Sequence, residues 1–205
     1  MDKPKDNSKN LPGLTRRKFL GAVGLGGTVL APDVPAPEGE TSGAALVGPG
    51  AVPIRLRVNG VEHTLEVEPR LTLLDALRDR LGLIGTKRAC DHGACGACTV
   101  LANGRPVYAC TMLAVSAQGM EITTVEALSA GDGLDPLQAA FIKHDALECG
   151  LCTPGFLMAL KALLLRNPHP SENEVRLALA GNLCQCGMYP RVIAAVEEAR
   201  KAGGS

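Results

Sequence analysis

Alternation of apolar and polar positions begins abruptly at Ile54. Ile54, Leu56 and Val58 alternate with Arg55 and Arg57, Asn59-Gly60 follows, and Val61, His63, Leu65 and Val67 alternate on the return. Two period-two runs across Asn-Gly predict a β-hairpin. Thr72 with Asp75 three residues later predicts a capped helix, with Leu73, Leu74, Leu77 and Leu81 as its apolar stripe and Gly82 as its end. A loop with three cysteines comes next. Thr99–Leu101 and Val107–Ala109 flank Asn103-Gly104 as a second hairpin, and Ile122–Val125 reads as a last strand.

Beyond Ser129–Asp135, a Gly- and Asp-rich linker, the period becomes helical. Asp135 caps a helix with Pro136 at its first position and Leu137, Ala140, Phe141 and His144 on one face. Thr153-Pro154 opens a second helix that runs to about Arg166. Ser171 with Glu174 is a capping box for a third, and Pro190 opens a fourth carrying Ile193 and Val196. Four helices in so short a stretch predict a small bundle. The expected fold is α+β, with strands and one helix at residues 53–128 and the bundle at 136–202.

The first 31 residues read as an export signal. Six cationic residues stand against Asp2 and Asp6, and the Gly-rich apolar run from Phe19 to Ala31 is shorter than the ~20 residues of a spanning helix. Thr15-Arg16-Arg17-Lys18-Phe19-Leu20 resembles the twin-arginine signal, which places the protein in the periplasm. The Pro-, Gly- and Ala-rich residues 32–52 read as a linker. No membrane span is expected in the mature chain. The formal net charge is zero, which argues against a nucleic-acid-binding surface. With three Phe, two Tyr and no Trp, the core must be built from Leu, Val, Ile and Ala, and bound metal is expected to supply part of the stability.

The chemistry lies in eight cysteines. Cys90, Cys95, Cys98 and Cys110 read C-x4-C-x2-C-x11-C, the plant-type spacing for a [2Fe–2S] cluster. Cys149, Cys152, Cys184 and Cys186 read C-x2-C-x31-C-x-C, again two tight pairs. Disulfides are the first alternative, but Cys184 and Cys186 stand too close for unstrained closure. Structural zinc is the second, although paired C-x2-C motifs are its usual form. A secreted binding protein held by disulfides or zinc, with no redox role, is therefore the rival reading. A four-thiolate [2Fe–2S] centre carries a net charge of about −2 when oxidised and is stabilised by converging N–H groups. The loop from Cys90 to Cys98, with Gly93 and Gly96, lets the backbone wrap closely, as do Gly150, Gly155, Gly181 and Gly187 around the second group. With four thiols in each group, His92, His63, His144 and His169 are not expected to be ligands. No dinucleotide fingerprint or nucleophile–base arrangement is visible, so no catalytic residue is expected in this chain.

Residues 90–100, Cys-Asp-His-Gly-Ala-Cys-Gly-Ala-Cys-Thr-Val, resemble the first cluster loop of the iron–sulfur subunit of molybdenum hydroxylases, the xanthine oxidase family. Gln138-Ala-Ala-Phe141, Cys149-Gly-Leu-Cys-Thr-Pro-Gly155 and Gly181-Asn-Leu-Cys-Gln-Cys186 resemble its second-cluster motifs. The resemblance spans 54–200 and is strongest to periplasmic aldehyde oxidoreductases. It implies a ferredoxin-like β-grasp domain followed by a four-helix bundle, and eight cysteine ligands to two [2Fe–2S] clusters. It further implies a large partner subunit holding molybdopterin next to the second cluster, with Cys186 hydrogen-bonded to the pterin. Electrons would leave through the first cluster to an FAD subunit or a haem protein such as cytochrome c. Four positions depart from the family pattern. Glu148 stands where many members have Gln, and Gln185 and Gly187-Met188 replace the more usual Arg and Thr-Gly.

Overall fold

Both Asn-Gly pairs turn the chain as the sequence predicts. Asn59 and Gly60 have φ of 53° and 79°, and Asn103 and Gly104 have 50° and 74°. Positive φ at both central residues is the turn geometry whose twist matches that of paired strands. The structure, a computed structural model, describes residues 48–129, 131 and 133–202. The expected export signal at 1–31 and most of the expected linker at 32–52 lie outside the described residues.

Strand β1 (Val52–Val58) pairs antiparallel with β2 (Val61–Val67), in a register that sets Val58 opposite Val61. Ile54, Leu56 and Val58 are buried while Arg55 and Arg57 face out, as the alternation requires. Strands β3 (Thr99–Ala102), β4 (Arg105–Tyr108) and β5 (Glu121–Thr123) complete a mixed sheet in the order β2-β1-β5-β3-β4. Central β5 runs parallel to β1 and antiparallel to β3. The predicted last strand over 122–125 ends at Thr123, because Val125–Ala127 turns into a short 3-10 segment.

The helix predicted after Thr72 forms, but not as a regular α-helix. Helix α1 (Leu73–Asp75) is capped by the Thr72 hydroxyl, which accepts from the Asp75 N–H at 3.1 Å. Ala76–Arg80 then continues as a π-helix, closed by Leu81 N–H on the Ala76 carbonyl. Two arginines tie this wider turn to the chain that follows it. Arg78 donates to the carbonyls of Ile84 and Thr86, and Arg88 bridges Asp75 and Asp79. The π-turn thus straps down the chain that leads to Cys90. Such bulges recur at functional sites.

The C-terminal lobe contains α2 (Pro136–Lys143), α3 (Thr153–Arg166), α4 (Glu172–Ala178) and α5 (Tyr189–Ala202). Asp135 with Gln138, and Ser171 with Glu174, close capping boxes. Buried Asp135 also accepts from Lys161 at 2.5 Å, tying α2 to α3. None of the described helices is long and apolar enough to cross a membrane.

Two apolar cores share one strand. All four residues of β3 are buried. Val100 and Ala102 pack into the sheet core with Leu56, Leu73 and Ile122, whereas Leu101 packs into the helical core with Phe141, Phe156 and Leu160. A strand covered on both faces cannot show polar alternation. This shared strand brings the two cysteine groups together. Cys98 and Cys110 lie in the sheet core, and Cys152, Cys184 and Cys186 border the helical one.

Candidate metal centres

The first four cysteines sit on the loop between α1 and β3 and just after β4. Cys98 and Cys110 are buried, and Cys90 and Cys95 are half-exposed. The thiols interact in pairs, Cys90 with Cys95 and Cys98 with Cys110. Amides converge on the sulfurs: Gly93 N–H donates to Cys110 Sγ at 3.2 Å and Ala94 N–H to Cys90 Sγ at 3.3 Å. The N–H of His92 acts most strongly on Cys90, and with those of Ala94 and Cys95 it lowers that thiol to about 6 despite the opposing effect of burial. Burial dominates at Cys98 and pushes it up to about 12, with the neighbouring sulfurs adding repulsion. Concentrated negative charge is thus favoured at the rim and must be compensated by metal at the base. His92 is exposed and places Nδ1 2.5 Å from the Cys90 carbonyl.

The second four cysteines lie directly before two 14-residue helices, Cys149 and Cys152 before α3 and Cys184 and Cys186 before α5. They too pair across the sequence, Cys152 with Cys184 and Cys149 with Cys186. Burial pushes Cys152 up to about 12. Burial also opposes ionisation of Cys184, but the N–H groups of Met188, Cys186 and Gly187 and the Cys152 thiol outweigh it and lower that sulfur. The Cys149 N–H acts to lower Cys186. The adjoining Cys149 sulfur, burial and the charge of Glu148 together leave it raised. The positive ends of α3 and α5 add to the field on this group. Cys149 is exposed, as are Leu147, Leu151 and Leu183.

All eight cysteines are free thiols. Among the described residues, no three His, Cys, Asp or Glu side chains converge as one metal ion would require. Two pairs per group instead match the needs of a two-iron centre, in which each iron takes two thiolates. The donor set and its converging amides fit [2Fe–2S] in both places.

The two loops meet. Leu183 N–H donates to the Cys95 carbonyl at 2.9 Å, and Tyr108 Oη donates to the Gly181 carbonyl at 2.8 Å. Asn182, 4% exposed, donates from Nδ2 to the Gly96 carbonyl at 2.9 Å and to Thr99 Oγ1 at 3.2 Å. Tyr189 Oη accepts the Cys184 N–H and donates to the Asn182 carbonyl, both at 3.0 Å. Its ring stands edge-on to Phe156 at 5.6 Å. Reading the sequence for ligands missed Tyr108, Asn182 and Tyr189. One signal was available: the chain's two tyrosines both lie within three residues of a motif cysteine.

Known proteins are similar to this chain in sequence and fold. Residues 56–120 match the 2Fe-2S iron-sulfur cluster binding domain and residues 124–197 the [2Fe-2S] binding domain. The aldehyde oxidoreductase iron-sulfur-binding subunit PaoA of Escherichia coli (strain K12) is 48% identical over 171 residues, covering 76% of this chain and 75% of that protein. The chain is a 2Fe-2S subunit of the xanthine oxidase family. This iron–sulfur subunit is also 49% identical over 148 residues to the nicotine 6-hydroxylase small subunit of Paenarthrobacter nicotinovorans, covering 72% of this chain and 89% of that one. Quinoline 2-oxidoreductase from Pseudomonas putida 86 superposes with a TM-score of 0.70 at 45% identity, over 76% of this subunit and 99% of the matched chain. The fold is thus the β-grasp [2Fe–2S] domain followed by the helical [2Fe–2S]-binding domain, and the subunit transfers electrons in an oxidoreductase of the molybdenum hydroxylase class. The rival reading, a binding protein without redox function, is set aside.

Proposed function

We propose that Cys90, Cys95, Cys98 and Cys110 hold one [2Fe–2S] cluster and Cys149, Cys152, Cys184 and Cys186 the other, forming a relay from molybdopterin in a large partner subunit to an FAD subunit or cytochrome c. The observation that carries this reading is the meeting of two paired thiol quartets, whose loops are joined directly by the Leu183 N–H on the Cys95 carbonyl. Each cluster, when bound, supplies transfer of one electron without a bond to substrate. The residues around it fix position and potential: Gly93 and Ala94 aim N–H groups at sulfur, the sheet core excludes water from Cys98 and Cys110, and the helical core partly covers Cys152. The second site faces the molybdenum partner in this reading. Exposed Cys149 with exposed Leu147, Leu151 and Leu183 forms an apolar rim suited to a subunit interface. Relatives named for aldehyde, nicotine and quinoline oxidation support an aldehyde or N-heterocycle as the substrate, bound in that partner.

Iron and acid-labile sulfide analysis tests the assignment. About four irons and four sulfides per chain, with two distinct [2Fe–2S] EPR signals after dithionite reduction, are expected. A well-folded, colourless chain containing zinc or disulfides overturns it.

Gln185 is exposed between two ligand cysteines. Gln185→Arg places a positive charge beside a negative centre and is expected to raise the midpoint potential of the second cluster in a redox titration. An unchanged or lower midpoint counts against that placement.

Export by the twin-arginine route is part of the proposal and rests on the pattern from Thr15 to Leu20. Exchanging Arg16 and Arg17 for lysine is expected to retain the subunit in the cytoplasmic fraction. Unimpaired appearance in the periplasm overturns this route.

A further inference from the structure

Every hydrogen bond that joins the two cysteine loops ends within three residues of a motif cysteine on both sides. Cys95, Gly96 and Thr99 accept from Leu183 and Asn182, and Tyr108 donates to Gly181. The contact has no slack. A Cβ on Gly96 would stand 2.5 Å from the Gly181 carbonyl oxygen, and one on Gly155 would stand 2.2 Å from the Gly96 oxygen. A Cβ on Gly181 would come within 1.9 Å of Tyr108 Oη. Thr99 also bonds the Gly96 oxygen through its hydroxyl at 2.6 Å, and both Thr99 and Asn182 are buried. Neither loop can shift without moving the other.

Ordering a loop so that four sulfurs face one centre costs conformational entropy, and a rigid link lets two sites share that cost. We infer that the two cluster sites are coupled through Asn182 and Tyr108, so that filling either one raises the affinity of the other for iron and sulfide. This rests on the proposal that both quartets hold clusters. Supplied as two ferric ions and two sulfides per site, assembly needs no electron; four Fe–S(thiolate) and four Fe–sulfide bonds form, the water bound to iron leaves, and the four thiol protons pass to the solvent. Asn182 and Tyr108 are positioning residues in this scheme, because they touch the loops and not the metal.

The test is a titration of the full-length, metal-free chain with ferric iron and sulfide under anaerobic conditions. Native mass spectrometry counts chains with zero, one and two clusters. Independent sites of equal affinity leave about half of the chains singly loaded at half filling, whereas a tenfold coupling, within the usual range, lowers that share to about one quarter. The wild-type chain is expected at or below one quarter, and Tyr108→Phe and Asn182→Leu, which keep all eight thiols, are expected near one half or above. A residue that merely stabilised the fold would, when replaced, leave metal-free chains unfolded and so lower the singly loaded share, the opposite of the expected rise.

Single-site variants check reciprocity. For sites of equal affinity, Cys110→Ser is expected to raise the iron concentration for half-filling of the second site roughly 2- to 3-fold, at most the square root of a tenfold coupling, and Cys149→Ser to do the same for the first by an equal factor. A wild-type singly loaded share of half or more, together with an unshifted second site in Cys110→Ser, overturns the coupling. A wild-type chain that takes up no iron overturns the cluster assignment instead.

Discussion

Gly155→Ala is expected to lower the thermal midpoint of the subunit by about 6 °C, although alanine is the better helix former. Gly155 is the third residue of α3, where exchange to alanine would stabilise a free-standing helix by roughly 0.5–1 kcal/mol. Packing opposes this. The new methyl carbon would stand 2.2 Å from the Gly96 carbonyl oxygen and 3.1 Å from the Ala97 Cα and the Asn182 Nδ2. Two of these neighbours are backbone, and the Gly96 oxygen already accepts from Thr99 and Asn182, so it cannot retreat cheaply. Overpacking of this kind costs about 3 kcal/mol. The net loss of about 2 kcal/mol corresponds to the stated shift for a domain of this size. Thermal unfolding followed by circular dichroism, alongside visible absorbance, checks it, and cluster colour is expected to bleach with the fold. A raised midpoint would show that helix propensity outweighs the contact between the loops.

Cys186→Ser is expected to reduce turnover of the assembled enzyme by on the order of 100-fold or more, since loss of a metal ligand exceeds the usual effect of disturbing its supporting shell. Cys186 pairs with Cys149, the most exposed thiol of its quartet, beside the exposed rim of Leu147, Leu151 and Leu183. It is therefore the ligand whose loss severs the molybdenum side of the proposed relay while sparing the sheet core around Cys98 and Cys110. EPR at saturating iron and sulfide separates the effects. The signal of the first cluster is expected to persist while that of the second is lost or altered. Turnover at the wild-type level in this variant would remove Cys186 from the electron path.

Much of this fold is local chemistry. Asn59-Gly60 and Asn103-Gly104 specify hairpins because only residues tolerant of positive φ fit both central turn positions. Asp135 with Gln138, and Ser171 with Glu174, start helices by satisfying amides within one turn. The apolar stripe after Thr72 correctly buries Leu73, Leu74 and Leu77, but periodicity could not reveal the π-turn at Ala76–Arg80. That turn carries contacts beyond the reach of local periodicity, Arg78 to Thr86 and Arg88 back to Asp75 and Asp79. The strand at Thr99–Ala102 was readable as a strand but not as the wall between two cores, because burial on both faces erases the alternation that reports direction.

The cysteine spacing by itself determined the number of sites and the chemistry they suit, since C-x4-C-x2-C and C-x-C hold sulfurs close whatever the rest of the chain does. Only the tertiary structure decided which thiols pair. Cys90 meets Cys95, its nearest neighbour in sequence, but Cys98 meets Cys110 and Cys149 meets Cys186, so proximity in the sequence does not fix the partner. It also decided that the loops touch, through Asn182 and Gly96 lying 86 residues apart in the chain. Turns and caps follow from the conformational limits of a few neighbouring residues, whereas these contacts exist because β3 buries one face in each core and draws both loops onto the same edge.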